Sequence, residues 1–424
     1  MKRLTFGSYR NFWPELAVLM MSFYILADMF SGFTIIYLGI DVKASLIYKV
    51  PLLILILALI ARNNAHIFNL LLFLIILMFI GPFFQFMEHA RSDFFIADFS
   101  TALKILTPIC VFFLFKLWYQ NIPEFALAST HKILTYCFVL LSINFTLGAL
   151  GFGQSTYDFG DDGTVGTTGF MMAGNELGGA FLVAYTYMLH RVWNRNSRWI
   201  YLILAVFTVF CGVTVSTKTT ILAAIIIVCF VPIVNERKKL YKLTLLKMKI
   251  LIPIVVLMIA IIILLIDILQ SLGLYDRFLW LYNKGGLLGM LLSGREVMVV
   301  QNIELLLQKS TLIEQLLGQG EAMSLKRVDG SATTEVDGVD TFIFFGVFTF
   351  LFVLSFYIYT LYKAHQQTIS GVNFFSPFVF LAGFILLMLS QMSGHIWGSG
   401  TVGVLMGVML GSLHNAGELE PRSI

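Results

Sequence analysis

The sequence predicts an all-α polytopic membrane protein, and three observations lead there. Hydrophobic residues make up 58% of the 424 positions and charged residues only 12%, against about 45–50% and about 25% in soluble domains. Apolar runs close to the ~20 residues needed to cross a hydrocarbon core recur about twelve times. Lysine and arginine concentrate in every second loop, as the positive-inside bias of membrane helices requires.

The runs lie near residues 14–36, 45–61, 67–87, 101–119, 132–152, 171–190, 199–216, 219–234, 250–270, 341–362, 374–393 and 396–413. Two stretches, 199–234 and 374–413, are too long for one crossing. Each must turn once, at Ser216-Thr217-Lys218-Thr219-Thr220 and at Ser393-Gly394-His395. The basic segment 1–10 precedes a run too long for a signal peptide and without a small-x-small cleavage site, so the first span is expected to stay attached. Cys110, Cys137, Cys211 and Cys229 all fall inside apolar runs without metal-ligand spacing and read as core thiols. No half-to-half repeat and no low-complexity linker divides the chain. One transmembrane domain over 1–424, with a large external loop at 271–340, is the simplest organisation.

Orientation follows from the short loops. Lys2, Arg3, Arg10, Arg62, Lys132, Arg191, Arg195, Arg198, the cluster Arg237-Lys238-Lys239 with Lys242, Lys247 and Lys249, then Lys363 and Arg422 all fall on one side. That side is expected to be cytoplasmic, with both termini on it. The opposite loops are poorer in base and carry acids such as Asp158, Asp161 and Asp162; Lys43 and Arg91 are minor exceptions. The formal net charge of +4 says little about partners, because its distribution is what counts here.

The least membrane-like stretch is 293–346. It opens on Ser293-Gly294-Arg295, continues through an amphipathic run (Val297, Val300, Ile303, Leu306 and Leu307 between Gln301, Glu304 and Gln308), and passes Gly318-Gln319-Gly320. It ends in Glu335-Val336-Asp337-Gly338-Val339-Asp340, just before an apolar run. The charge-based topology brings Lys218, Arg295, these acids and His395 to one external face. Each has a plain structural reading: a snorkelling lysine, a solvated loop arginine, an acidic flank, an interfacial histidine beside Trp397. Asn175 and Glu176, just inside the sixth span, are harder to set aside, since a carboxylate there needs a partner.

Together the set offers cations for a phosphorylated leaving group and carboxylates or an imidazole to take a proton from a hydroxyl. Neither Gly-x-x-x-x-Gly-Lys-Ser/Thr nor Gly-x-Gly-x-x-Gly is present. Nucleotide energy, nucleotide sugars and nucleic acid are therefore not expected, and no cofactor or metal is called for. A reaction on the external face must use a donor already activated in the membrane, and a sugar on a polyprenyl pyrophosphate fits. Two carboxylates spaced as in Glu335-x-Asp337 could alternatively share a divalent cation.

At these positions the sequence resembles the O-antigen ligase-like and Wzy-type polymerase family of bacterial envelope polysaccharide synthesis. The matching pieces are Gly169-Phe170, Gly174-Asn175-Glu176-Leu177, Ser216-Thr217-Lys218-Thr219, Ser293-Gly294-Arg295, Leu317-Gly318-Gln319-Gly320, Glu335-x-Asp337-x-x-Asp340 with Gly346, and Gly394-His395 with Ser399-Gly400. They run in family order over residues 169–400. The resemblance implies a GT-C-like fold in the bacterial cytoplasmic membrane and transfer of a glycan from undecaprenyl pyrophosphate to a sugar hydroxyl. The partners it implies are the carrier-linked oligosaccharide, the bilayer, a chain-length regulator and a flippase. The family's ligases carry an arginine near Lys218 and a histidine-asparagine pair where this chain has acids, which favours the polymerase branch. The roles expected on this basis are Lys218 and Arg295 on the pyrophosphate, one of Glu335, Asp337 and His395 as general base, and Asn175, Glu176 and Asp340 as substrate-binding or structural groups. The rival readings are a ligase with the same donor and a polysaccharide flippase, which would place its charges near the midplane of a central cavity.

Overall fold

A computed structural model describes residues 12–158, 164–172, 174–253, 294–321 and 333–415, with isolated positions between 279 and 292. The helices in chain order are α1 (Phe12–Leu38), α2 (Ala44–Asn63), α3 (Ala65–His89), α4 (Ser92–Asn121), α5 (Pro123–Ala149), α6 (Gly174–Asn194), α7 (Arg198–Val215) and α8 (Lys218–Val234). After them come α9 (Arg295–Lys309), α10 (Leu312–Leu317), α11 (Asp337–Ser370), α12 (Ser376–Met392) and α13 (Val402–Gly411). Among the described residues seven helices, α1 to α5, α7 and α11, are long and apolar enough to cross a membrane, and α8, α12 and α13 are shorter apolar helices. The run expected near 250–270 lies outside the described residues beyond position 253.

Short connections force consecutive helices to run antiparallel, so the described bundle has two poles. At one pole α1 ends, α2 begins, α3 ends, and the alternation continues to the start of α6 and the start of α8; the start of α11 joins them through Asp337, which binds the loop before α13. The basic residues Arg62, Arg191, Arg195, Arg198 and Arg237 sit at the other. Lys247, expected there as a loop cation, is instead buried. Its ammonium donates to the carbonyls of Lys239, Leu240 and Lys242 at 2.5, 2.8 and 2.6 Å and pairs with Glu236 at 3.2 Å. The chain reversal after α8 aims three carbonyls at one point, which the three donors of an ammonium satisfy.

At the centre, every residue of α13 is buried, the signature of a helix that is apolar all round. It lies along α4 through a stripe of glycines one turn apart. A Cβ on Gly407 would come within 2.5 Å of the Val111 side chain, and one on Gly411 within 2.4 Å of Phe115. Small residues at this spacing let two membrane helices approach by backbone packing, where burial from water contributes nothing.

Two elements depart from the expected pattern. Two segments expected as loop form strands, β1 (Gln154–Asp158) and β2 (Thr164–Gly169), paired antiparallel with Gln154 opposite Gly169 and Asp158 opposite Thr164. Asn144 at the end of α5 clamps the pair, its Nδ2 donating to the Thr168 carbonyl and its Oδ1 accepting from the Phe170 amide, both at 2.9 Å. The amphipathic run 297–308 is helical as α9, but Asn302 and Leu306 face inward while Val300 and Leu307 are exposed.

α11 breaks at Gly346, whose φ of 79° is left-handed and open to glycine without strain. The Phe344 carbonyl freed at the break accepts the Gly320 amide at 2.9 Å. Segment 312–320 is thereby anchored on the bundle, helped by Gln85 of α3 donating to Glu314 at 2.8 Å.

Candidate functional site

The site grows from an irregular loop, residues 393–401, between α12 and α13. A helix was expected over 396–413; it begins only at Val402. Gly394 and His395 both take positive φ, 61° and 59°, and side chains then capture the amides a helix would use. Oδ2 of Asp337 accepts from the Ile396 and Trp397 amides at 2.8 and 2.9 Å. The Ser399 hydroxyl oxygen accepts from Thr401 and Val402 at 3.2 and 3.0 Å. Such side-chain acceptors compete with regular structure, and here they hold the chain in a bend and turns before α13 starts. Ile396, Trp397, Ser399 and Thr401 are all buried. Irregular backbone is tolerated among membrane helices only where protein encloses it or it lines a cavity.

The acids at the head of α11 meet this loop. Asp337 is buried and committed to the two loop amides. Asp340 folds back on Thr334, accepting from its amide at 2.9 Å and its hydroxyl at 2.7 Å. Glu335, left-handed at φ 54°, takes both Nε (3.0 Å) and Nη2 of Arg295, while Arg295 Nη1 donates to the Leu292 carbonyl at 3.2 Å. A Cβ on Gly394 would lie 2.5 Å from the Glu335 carbonyl oxygen, so the Arg295–Glu335 pair and the half-buried His395 lie together. Glu335 faces Arg295 while Asp337 faces backbone amides, and among the described residues no group of three or more His, Cys, Asp or Glu is placed to hold a metal.

On the other side of the loop stands the start of α6. Oε2 of Glu176 accepts from the Ser399 hydroxyl at 2.8 Å. The side chain of Asn175 lies outside the described residues. A Cβ on Gly179 would meet Val402 at 2.6 Å and Ile396 at 3.0 Å, and one on Gly178 would meet the Thr220 hydroxyl at 2.9 Å. α6 is thus wedged between the loop and the start of α8. Lys218, exposed, is the first residue of α8, behind the Thr217 cap whose hydroxyl accepts from the Thr220 amide at 3.2 Å.

The loop ends on a buried ionic junction. Asp28 of α1 accepts from the Thr401 hydroxyl at 2.9 Å, from the Ser45 hydroxyl, and from the Lys49 ammonium of α2. Gly400 leaves space beside it, since a Cβ there would be 3.3 Å from Lys49 Nζ and 3.8 Å from Lys104 Cγ. The space continues into a cavity of about 540 Å³ between α1, α2, α4 and the loop, with Asp28, Lys49, Lys104, Glu176, Gly400 and Thr401 in its wall. Of the residues predicted from sequence, Glu176 is the one whose described side chain lines this cavity.

Asp28, Lys49 and Lys104 were missed. Each was visible as an ionisable residue inside an apolar run (14–36, 45–61 and 101–119), a pattern that marks functional positions in membrane helices. Comparison with known protein families, curated proteins and solved structures finds no match to the chain.

Proposed function

We propose that this protein is a Wzy-type polymerase of bacterial surface polysaccharide: O-antigen, capsule or exopolysaccharide. It would span the cytoplasmic membrane about twelve times in a GT-C-like arrangement, both termini cytoplasmic, with the pole that carries loop 393–401 facing outward. In the reaction, a hydroxyl of an incoming carrier-linked repeat attacks the anomeric carbon of the growing chain. The bond to undecaprenyl pyrophosphate breaks, and the lipid pyrophosphate leaves with the electron pair. Arg295 and Lys218, each at the first position of a helix, would meet that negative charge, where helix dipoles also favour anions. Asp337 and Asp340 would act as positioning residues, and His395 would steer the leaving group. The observation that supports this reading best is the buried loop: polar groups scattered from Asp28 to Thr401 converge on it beside a cavity, at the pole away from the basic loops.

Two expected results test it. Deleting the gene should leave cells that make and export single repeat units but lack long chains; accumulation of long carrier-linked polymer would instead indicate a ligase. For orientation, a cysteine at position 157 should react with a membrane-impermeant thiol reagent on intact spheroplasts, whereas one at 242 should not. The reverse labelling pattern would turn the site toward the cytoplasm and remove the lipid-linked donor from reach.

A further inference from the structure

Building on the polymerase reading, we propose that the cavity between α1, α2 and α4 is the acceptor-saccharide subsite, and that Glu176 takes the proton of the attacking hydroxyl. The volume of about 540 Å³ falls within the ~300–1,000 Å³ of small-molecule sites. Its chemistry selects the occupant. A phosphate would face four carboxylates, of Asp28, Asp41, Asp93 and Glu176, and a cation would face the ammonium groups of Lys43, Lys49 and Lys104. A neutral saccharide presents hydroxyls that donate to the first set and accept from the second. The apolar wall, with Leu53, Ile96 and Met171, suits the C–H faces of its rings.

Several of these groups are already spoken for. Asp28 neutralises Lys49, Asp93 pairs with Arg91 at 2.6 Å, and Asp41 accepts from the Lys43 amide at 3.1 Å. Lys104, half-buried, has no ion pair or hydrogen bond among the described residues and offers its donors to a ligand. Glu176 offers the acceptor. A hydroxyl carries one donor and two acceptor positions, and Ser399 uses both acceptor positions on the amides of Thr401 and Val402, so its proton is directed at Glu176 Oε2. The carboxylate is therefore fixed in orientation, and Oε1 has no hydrogen-bond partner among the described residues. In the transfer, the acceptor oxygen bonds to the anomeric carbon, the carbon–pyrophosphate bond breaks with its electrons going to the lipid, and the hydroxyl proton passes to Glu176 Oε1. The protonated carboxyl then loses it to water.

The test uses the full-length protein in lipid nanodiscs with carrier-linked repeats of the host strain. Glu176→Gln keeps an oxygen for Ser399 and removes the base, so kcat should fall about 10²- to 10⁴-fold with the thermal midpoint unchanged. Lys104→Met should raise the acceptor KM about tenfold while kcat stays within about threefold, the pattern of lost uniform binding. As a separate binding measurement, the oligosaccharide released from the carrier by mild acid should bind the wild-type protein, and more weakly bind Lys104→Met; inorganic pyrophosphate should show no such difference. Near-normal kcat in Glu176→Gln, in a wild type that polymerises, overturns the inference and leaves the polymerase reading standing. Saccharide binding that depends on Lys104 in a wild type that makes no polymer overturns the polymerase reading, and the role of Glu176 with it, and leaves the cavity a saccharide site. If Lys104→Met weakens pyrophosphate binding instead, the cavity is an anion site and the acceptor assignment falls.

Discussion

Replacing Asp28 with alanine should destabilise the protein by about 3–5 kcal/mol, the usual cost of removing one partner from a buried ion pair. The loss is large because Asp28 ties two elements to α1 at once, holding Lys49 and Ser45 of α2 and Thr401 of the loop. Its side chain is 8% exposed and that of Lys49 19%, so water reaches either charge only from the side of the cavity they line. A lysine left alone among apolar helices is the principal penalty, more than the lost attraction. It follows that Asp28→Ala combined with Lys49→Leu should recover most of the loss, since replacing both members of a buried pair by apolar groups is often neutral. Thermal unfolding of the purified protein in detergent measures both. Equal midpoints for the single and double variants would show that Lys49 finds another partner and that Asp28 is not the anchor of the junction.

The fold class was legible because apolar runs of span length and the alternation of basic loops are local signals, readable residue by residue. Helices cover most of the expected runs where residues are described, though not 396–401, and the turns at Ser216 and at Gly394 fall where run length required them. What could not be read was where side chains override regular structure. Residues 396–401 stand at the head of an apolar run, yet Ser399 takes the Thr401 and Val402 amides that a helix begun at 396 would use, and Asp337, 59 positions from Ile396 in sequence, pins the loop in front of them. Nothing within the segment announces that capture.

The candidate site was legible in part for the same reason. Arg295, Glu335 and His395 stand out as polar residues in a membrane chain, and the structure brings them together at Gly394. The partnership of Glu176 with Ser399, 223 positions away, is a tertiary fact with no sequence spacing behind it. Asp28, Lys49 and Lys104 were readable singly as intramembrane charges. Their grouping around Gly400 depends on the packing of α13 on α4, which sequence periodicity does not encode.

Removing the Arg295 side chain should lower polymer formation about 10²- to 10³-fold, the typical effect of losing one preorganised donor to transition-state charge, without unfolding the protein. The guanidinium spends three of its five N–H groups on Glu335 and the Leu292 carbonyl, leaving two to meet pyrophosphate oxygens. Arg295→Lys keeps the charge but loses the planar fork, so it should restore activity only partly. The pair with Glu335 complicates this, because a purely structural ion pair would also fail when one member is removed. Exchanging the two residues separates the possibilities. Arg295→Glu with Glu335→Arg can re-form the pair and should return the thermal midpoint toward wild type, yet it places a carboxylate where the leaving pyrophosphate needs a cation. Turnover in the exchanged protein should therefore stay as low as in Arg295→Ala. Recovery of polymerisation together with stability would make Arg295 a strut for Glu335 and would move leaving-group stabilisation to Lys218 or elsewhere.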